Sequence, residues 1–378
     1  MDTQTFLGLA RDFMSLPTAP FHEHFVCAAV EAFAAARPGL TLHRDRVGNL
    51  LLHYSHPRAR QRSRLIATAH LDHPGLGFPR PLGRGEYFFE KLGGVDAAQA
   101  VGSPVRLYDL RRPLRQRICR GLVHCRQQEG ETEGFVVRVP DAEVGPGWFG
   151  MWDLAPLRRR GPLLYGRACD DLAGVVAGLS CLDELLRLQA RVRAGVLLTR
   201  AEEVGFGGML EAAHSGWLDP EATYLNLECS SARVGAAISG GAIVRVGDRS
   251  NLFDPHLSSG VALVAAELAQ AEPDFRFQRK LMDGGSCEAA VLRAAGLHTA
   301  ALAIPLGNYH NKGETGMAPE FVHLDDALAM ARLLVRLALE PGGVQTAGAR
   351  AATQVATAMA TRRRRHTPRL LQTINRNF

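Results

Sequence analysis

Apolar residues along this chain recur with two different periods, which predict strands that alternate with helices. The strand-like runs are short and apolar, whereas the helical segments repeat apolar residues every three or four positions. The predicted strands are 49–53, 65–69, 196–199, 224–227 and 301–306, and the predicted helices are 25–36, 172–188, 261–271 and 324–339. This alternation predicts an α/β fold with a mostly parallel central sheet flanked by helices.

Between these regions the pattern changes. The runs PVRLYDL, GLVHC and EGFVVRV are typical of strands, and they are separated by Gly-rich stretches without helical periodicity. Because long structureless loops are uncommon in compact domains, we predict an inserted β-rich, barrel-like domain at 75–162. The main domain would then be discontinuous, formed by 1–74 and 163–345.

The formal charge of +6 is concentrated at the carboxyl terminus. The last 33 residues hold seven Arg and no acid, so the remaining 37 basic and 38 acidic residues nearly cancel. A basic terminal run of this kind is usually solvated, and we predict a flexible tail at 346–378. No helix-turn-helix, zinc-finger or aromatic-basic pattern accompanies it, so we expect no specific nucleic-acid partner.

Cysteine usage and hydropathy bear on the compartment. The seven cysteines are scattered and never form a Cys-x-x-Cys pair, which is typical of a reducing compartment. No apolar run is long enough to cross a membrane, and the first residues lack the basic segment of a secretory signal. We therefore expect a cytoplasmic protein without a membrane partner.

Five strand-like runs lead to residue types that bind metals. LIATA leads to His70, LLYGRAC to Asp170, GVLLTRAE to Glu203, YLNL to Glu228 and ALAIPL to His310. In an open α/β sheet the carboxyl ends of the strands converge, so residues far apart in sequence can meet there. Mixed His and carboxylate donors suit zinc, with cobalt or manganese as substitutes. Singly, each donor could be a helix cap or a surface residue, but together they predict a dinuclear metal hydrolase bridged most naturally by Asp170.

The motifs around these donors resemble those of a known family. TAHLDHPGLGF, GRACDDLAG, TRAEEVGFGG and NYHNKGE occur in the order found in the co-catalytic dizinc aminopeptidases of the glutamyl or tetrahedral aminopeptidase type. The resemblance runs from about Phe21 to Arg336. It implies that His70 and Glu228 complete one metal site and that Glu203 and His310 complete the other.

The same resemblance implies roles for two further carboxylates. Glu202 matches the family's general base, and Asp72 matches the carboxylate that orients His70. The implied activity is removal of amino-terminal residues from peptides by a homo-oligomer that assembles through its inserted domain. The chain departs from the family where Glu228 replaces the usual Asp and where GGSCEAA, with Cys287, replaces Gly-Gly-Thr-Asp-Ala.

Two other functions fit the same residues. One is a deacylase or deamidase of a small N-acyl compound, and the other is a metal-binding relative without turnover. Asp72 and Glu202, which would bind no metal directly, favour an enzyme because a structural metal site needs no general base.

Overall fold

A computed structural model describes residues 2–59, 64–114, 118–232 and 236–374. The helices are α1 (Thr3–Met14), α2 (His24–Ala35), α3 (Ala97–Ala100), α4 (Leu172–Arg187), α5 (Gly207–His214), α6 (Pro255–Ala271), α7 (Glu288–Ala294), α8 (Leu324–Ala338) and α9 (Gly343–Thr373). The strands are β1 (Leu40–Arg44), β2 (Leu50–Ser55), β3 (Leu65–His70), β4 (Gly75–Gly83), β5 (Glu86–Leu92), β6 (Pro104–Asp109), β7 (Ile118–Glu129), β8 (Thr132–Arg138), β9 (Trp148–Trp152), β10 (Leu157–Arg160), β11 (Leu163–Gly166), β12 (Arg193–Thr199), β13 (Thr223–Ser231), β14 (Ala242–Gly247), β15 (Phe277–Leu281), β16 (His298–Gly307) and β17 (Glu320–His323).

Within the described residues, eleven strands form one mixed sheet. Its main order is β1-β2-β12-β3-β13-β16-β17-β11-β10, with β14 beside β16 and β15 beside β14. The four central strands, β12, β3, β13 and β16, are parallel, and the outer strands of the main order pair antiparallel. The α/β prediction is confirmed, and its parallel part is the centre of the sheet.

Helices cover both faces of this sheet because its strands carry apolar side chains on both faces. Ala67 and Ala69 of β3 face the large core that contains α4, α6 and α8, whereas Ile66, the residue before Ala67, faces a smaller cluster with α5 and α7. Neighbouring strand residues point to opposite faces, so a run apolar at every position is buried on both sides. Helix α4 is buried on nearly all sides, since it packs on the sheet and also contacts α1 and α8.

A second, smaller body is formed by β4 to β9. These strands close into a barrel in the order β4-β5-β8-β7-β6-β9. Its interior has a separate core that includes Phe89, Phe135 and Trp152. The barrel strands span residues 75–152, inside the predicted insert, and β10 and β11 belong to the main sheet. We propose that this barrel is the inserted domain.

Helix α9 differs from the flexible tail predicted for 346–378. The structure gives a helix through Thr373, and the last four residues of that tail lie outside the described residues. The sequence from 349 to 367 is rich in Ala, Arg and Thr and contains no Gly or Pro. Ala and Arg have favourable helix propensities, which accounts for helix formation without burial. Among the described residues, no helix combines the length and hydropathy needed to span a membrane.

Candidate metal centre

The first group of donors forms where strands β3 and β13 run side by side. The two strands are parallel and in register up to the pair Thr68–Asn226. Two residues further on each strand stand His70 and Glu228, so strand register brings them level with each other. His70 Nε2 lies 3.7 Å from Glu228 Oε2 and 3.5 Å from Asp170 Oδ1. One possible ligand atom from each of these three residues lies within 4.8 Å of the others.

The second group shares Asp170 with the first. His310 Nε2 lies 3.3 Å from Glu203 Oε1 and 3.8 Å from Asp170 Oδ2. The two oxygens of Asp170 therefore face different histidines. All five predicted donors come together, in two triads that share one carboxylate.

Only part of this convergence follows from the ends of strands. His70 is the last residue of β3, but Glu228 lies within β13, which continues to Ser231. Asp170 lies between β11 and α4, four residues beyond the end of β11. Glu203 and His310 likewise follow the ends of β12 and β16 by four and three residues. The prediction that every donor ends a strand is therefore confirmed only for His70, because β13 extends past its neighbour β3 and loops carry the other three donors.

The ring of His310 is oriented by the barrel side of the site. Its Nδ1 donates to the main-chain oxygen of Gly94 at 2.7 Å, which leaves Nε2 directed at the carboxylates. A Cβ on Gly94 would lie 2.8 Å from that Nδ1, so only glycine leaves room for the ring. His310 also has φ of 54°, a conformation uncommon for residues other than glycine and often found at functional sites.

Asp72 contacts the site in two ways. Its main-chain oxygen accepts from His70 Nδ1 at 3.1 Å, while its carboxylate Oδ1 lies 3.7 Å from the same nitrogen. The carboxylate accepts the backbone N–H groups of Glu202 and Glu203, both at 3.0 Å. The carboxylate of Asp72 therefore orients the loop that carries both glutamates, whereas its hydrogen bond with His70 comes from the main-chain oxygen and not from the carboxylate, to which the family resemblance assigns that role.

Glu320 is a residue that the sequence analysis missed. This fully buried carboxylate accepts the backbone N–H groups of Cys169 and Asp170 through Oε2, at 2.8 and 3.1 Å. Its Oε1 accepts the N–H of His310 at 2.9 Å. His73 supports the same loop, since its Nδ1 donates to the main-chain oxygen of Asp170 at 2.7 Å. Two features of the sequence could have indicated these residues. One is an acid at the start of a short apolar strand, and the other is a second His in TAHLDHP.

Burial and crowding perturb the titration of these groups. Burial raises the pKa of Glu202 well above its usual range and raises the pKa of Asp72 to about 7. Burial by itself would lower the pKa of His70, but Glu202 and the other carboxylates raise it well above its usual range. The site therefore concentrates more negative charge than its histidines balance, a situation that a bound cation relieves.

Several buried polar atoms in the site face no hydrogen-bond partner among the described residues. They include Asp170 Oδ1, Glu228 Oε1 and His310 Nε2. Buried polar atoms are nearly always paired, so these atoms point to a ligand. They lie around a cavity of about 330 Å³ that Glu202 and Tyr309 also line. The donor set and its unpartnered atoms fit divalent metal ions.

Arg245 is a second residue that the sequence analysis did not single out. It lines the same cavity and is only 3% exposed. Its Nε and Nη1 have no hydrogen-bond partner in the described part of the chain, and Nη2 lies 3.8 Å from Asp248 Oδ2. The thiol of Cys287, in the departing GGSCEAA stretch, donates to the same Asp248 oxygen at 3.6 Å.

Comparison with known proteins adds to this geometry. A family model described as M42 glutamyl aminopeptidase matches residues 48–333. None of the curated proteins matches the chain.

Solved structures of low sequence identity share the fold. A TET aminopeptidase from a marine sediment archaeon of the Thaumarchaeota has a TM-score of 0.75 at 18% identity, covering 91% of this chain and 99% of its own. An aminopeptidase from the archaeon Desulfurococcus kamchatkensis has a TM-score of 0.73 at 19% identity, covering 90% and 96%. The TET1 peptidase of Pyrococcus horikoshii, described as assembling into a tetrahedron or a large octahedral shell, has a TM-score of 0.72 at 19% identity, covering 89% and 100%.

Proposed function

The chain belongs to the M42 glutamyl aminopeptidase family and is a metal-dependent aminopeptidase; on that basis we propose that it uses two divalent cations to remove acidic residues from the amino termini of peptides. Zinc is the proposed metal, with cobalt or manganese as substitutes. Family membership favours this activity over a deacylase of N-acyl compounds and over a relative without turnover.

The observation that carries the two-metal proposal is the pair of triads sharing Asp170. His70 and Glu228 would hold one cation and Glu203 and His310 the other, with one oxygen of Asp170 toward each. When bound, such cations polarise the scissile carbonyl and acidify water at neutral pH.

Glu202 is the proposed general base. It lines the cavity beside both triads, and its backbone is fixed by the carboxylate of Asp72. In this role Glu202 takes a proton from the attacking water and passes it to the leaving amine, a contribution of roughly 10²–10⁴ in rate.

Arg245 supports the proposed preference for acidic residues. Its Nε and Nη1, which have no hydrogen-bond partner among the described residues, can each donate a charge-assisted hydrogen bond to a carboxylate. A Glu or Asp side chain of a substrate is attracted to Arg245, whereas a Leu side chain gains no such pairing. The cavity therefore distinguishes an acidic amino-terminal residue from an apolar one by charge.

We also propose that the protein forms a homo-oligomer through its barrel. The assemblies named for the TET1 peptidase support this, as do Ile118 and Leu122, apolar residues of β7 that are 46% and 48% exposed. A cytoplasmic location is proposed from the seven cysteines, which are all free thiols.

A matched pair of adjacent isosteric substitutions tests the site assignment. Glu202→Gln should lower kcat by roughly 10²–10⁴ while leaving the metal content near that of the wild type, because the residue is proposed to move protons rather than bind metal. Glu203→Gln should lower both metal content and activity. The measurements are elemental analysis and hydrolysis of Glu-, Asp- and Leu-terminal peptides with added zinc, cobalt or manganese.

Three results would contradict the proposal. Parallel loss of metal in Glu202→Gln would make that residue a ligand instead of a base. A single metal per chain in a fully active enzyme would remove the two-cation assignment. Lack of turnover of all amino-terminal amides by the wild type with two metals bound would remove the proposed reaction.

A further inference from the structure

The base of helix α9 is fixed to the body of the protein. Gly348 contacts Gly260 of α6 closely, since a Cβ on Gly260 would lie 2.6 Å from the backbone nitrogen of Gly348. Arg350 donates to Glu267 at 2.8 Å and to Glu340 at 2.6 Å. The helix therefore leaves the surface in a defined direction.

Beyond this base the helix contacts little of the chain. Every residue from 352 to 374 is exposed, and 22 helical residues extend about 33 Å at a rise of 1.5 Å each. The whole helix follows the last residue matched by the family model, residue 333. The aminopeptidase fold and its metal centre thus account for no part of this projecting segment.

The projecting segment carries a cluster of positive charge that we call the Arg run, defined as Arg362, Arg363, Arg364, Arg365 and Arg369. None of these five side chains has an ion pair within the described residues, and 346–374 contains no acid. Successive helical residues are rotated by about 100°, so four adjacent arginines point to all sides of the helix. Like charges at this spacing repel, and a polyanion would relieve that repulsion.

We propose that the Arg run binds the phosphate backbone of nucleic acid without reading its bases. Five arginines within eight helical residues give one positive charge per roughly 2.4 Å of helix, close to the one phosphate charge per about 1.7 Å along a duplex. The guanidinium group also matches phosphate geometry with paired hydrogen bonds.

The distribution of charge around the helix separates this partner from a membrane surface. A helix that lies on lipid needs one apolar face and a basic opposite face. Here arginines occupy all sides of one turn. Most of the exposed apolar residues of the helix lie on one face, and Arg363 interrupts that face with a positive charge; they are Val355, Met359, Leu370 and Ile374. Phosphates on the two walls of a groove can contact such a helix from both sides, and a B-DNA major groove is wide enough to admit it.

Binding of fluorescent nucleic acids to the full-length protein tests the proposal. The probes are two unrelated DNA duplexes and a single-stranded RNA, and the measurement is fluorescence anisotropy between 50 and 200 mM salt. We expect Kd values of about 10⁻⁴–10⁻⁶ M that are similar for both duplexes, and a roughly 10²–10³-fold loss of affinity across that salt range for four or five phosphate contacts. The RNA probe shows which nucleic acid is preferred.

The matched variants are two sets of Arg→Gln changes. Changing residues 362 to 365 should weaken binding at least about tenfold at low salt because four phosphate contacts are lost. Changing Arg158, Arg159 and Arg160, a run of exposed arginines on β10, should leave binding unchanged. Aminopeptidase activity, which should be equal in both variants and the wild type, reports that each is folded.

Three results would overturn the proposal: equal binding by the wild type and the 362–365 variant, binding insensitive to salt, or binding of phosphatidylserine vesicles without binding of nucleic acid. Because the assay does not depend on turnover, its failure would leave the proposed aminopeptidase function untouched.

Discussion

The metal centre and the Arg run are both clusters of like charge, and the two are stabilised in opposite ways. In the metal centre Asp170 is 2% and Glu228 is 7% exposed, whereas the whole of 352–374 is exposed. Burying an unpaired charge costs several kcal/mol, but an exposed charge is solvated by water at little cost. A buried cluster therefore needs its counter-charge within the folded state, while an exposed cluster can exist before its partner binds.

The supporting contacts differ in the same way. The metal centre has a layer of buried acceptors behind it, in which Glu320 and Asp72 receive backbone N–H groups of the ligand loops. The Arg run has no comparable support within the described residues. This difference predicts that substitutions around the metal centre change activity strongly and that substitutions in the Arg run do not.

Among substitutions in or near the two charge clusters, Glu320→Gln is expected to have the largest effect on zinc affinity or activity. The amide keeps one oxygen but presents an NH₂ group to a backbone N–H that now donates to the carboxylate, so the loops of Asp170 and His310 should shift. We expect a 10–100-fold loss of zinc affinity or of kcat/KM, the usual cost of losing such support. Zinc titration with a chelator and peptide hydrolysis are the measurements.

Asp326→Asn is the control for that prediction. Asp326 is also fully buried, and it accepts the backbone N–H groups of Ser239 and Gly241 at 2.8 and 2.7 Å, but it supports no predicted ligand. The Asp326→Asn substitution should lower the midpoint temperature of thermal unfolding without changing the zinc affinity. If the two variants lose zinc affinity equally, Glu320 has no special relation to the metal centre.

A smaller and selective effect is expected for Arg245→Met. A hydrogen-bonded charge contributes about 1.5–3 kcal/mol, so kcat/KM for Glu-terminal peptides should fall roughly 10–100-fold while that for Leu-terminal peptides changes little. Asp248 keeps partners in this variant, because it also accepts the N–H groups of Ser250 and Asn251. Arg245→Lys should retain part of the preference. Equal losses on both substrates would assign Arg245 to structure instead of specificity.

The smallest effect is expected for substitutions in the Arg run, measured as a change in the free energy of unfolding. Replacing residues 362–365 by Gln should change the free energy of unfolding by less than about 0.5 kcal/mol, since these exposed side chains have no ion pairs in the described chain. Arg350→Gln on the same helix should cost more, up to about 1 kcal/mol, because it breaks a network with Glu267 and Glu340. Urea denaturation measures both. A larger loss from the Arg run would show that it packs against the protein.

Local patterns were sufficient to predict much of the fold. Helix α4 was predicted at 172–188 and found at Leu172–Arg187, and β3 was predicted at 65–69 and found at Leu65–His70. Helix α6 begins at Pro255, six residues before the predicted start at 261, because Asp254 caps it with Pro255 in its first turn. Polar residues in that first turn hid its beginning from a search for apolar periodicity.

Short-range sequence patterns specify which segments become strands and helices, which residue types can bind metal, and where charge is concentrated along the chain. These properties depend on neighbours within a few positions, where periodicity and propensity act. Which distant residues meet depends instead on how the segments pack. Glu320 pairs with Gly166 across β17 and β11, which brings it beneath Asp170, and Arg245 reaches the cavity because β14 joins the edge of β16. Strand register and sheet order set these contacts, and both depend on packing between segments that are far apart in the sequence.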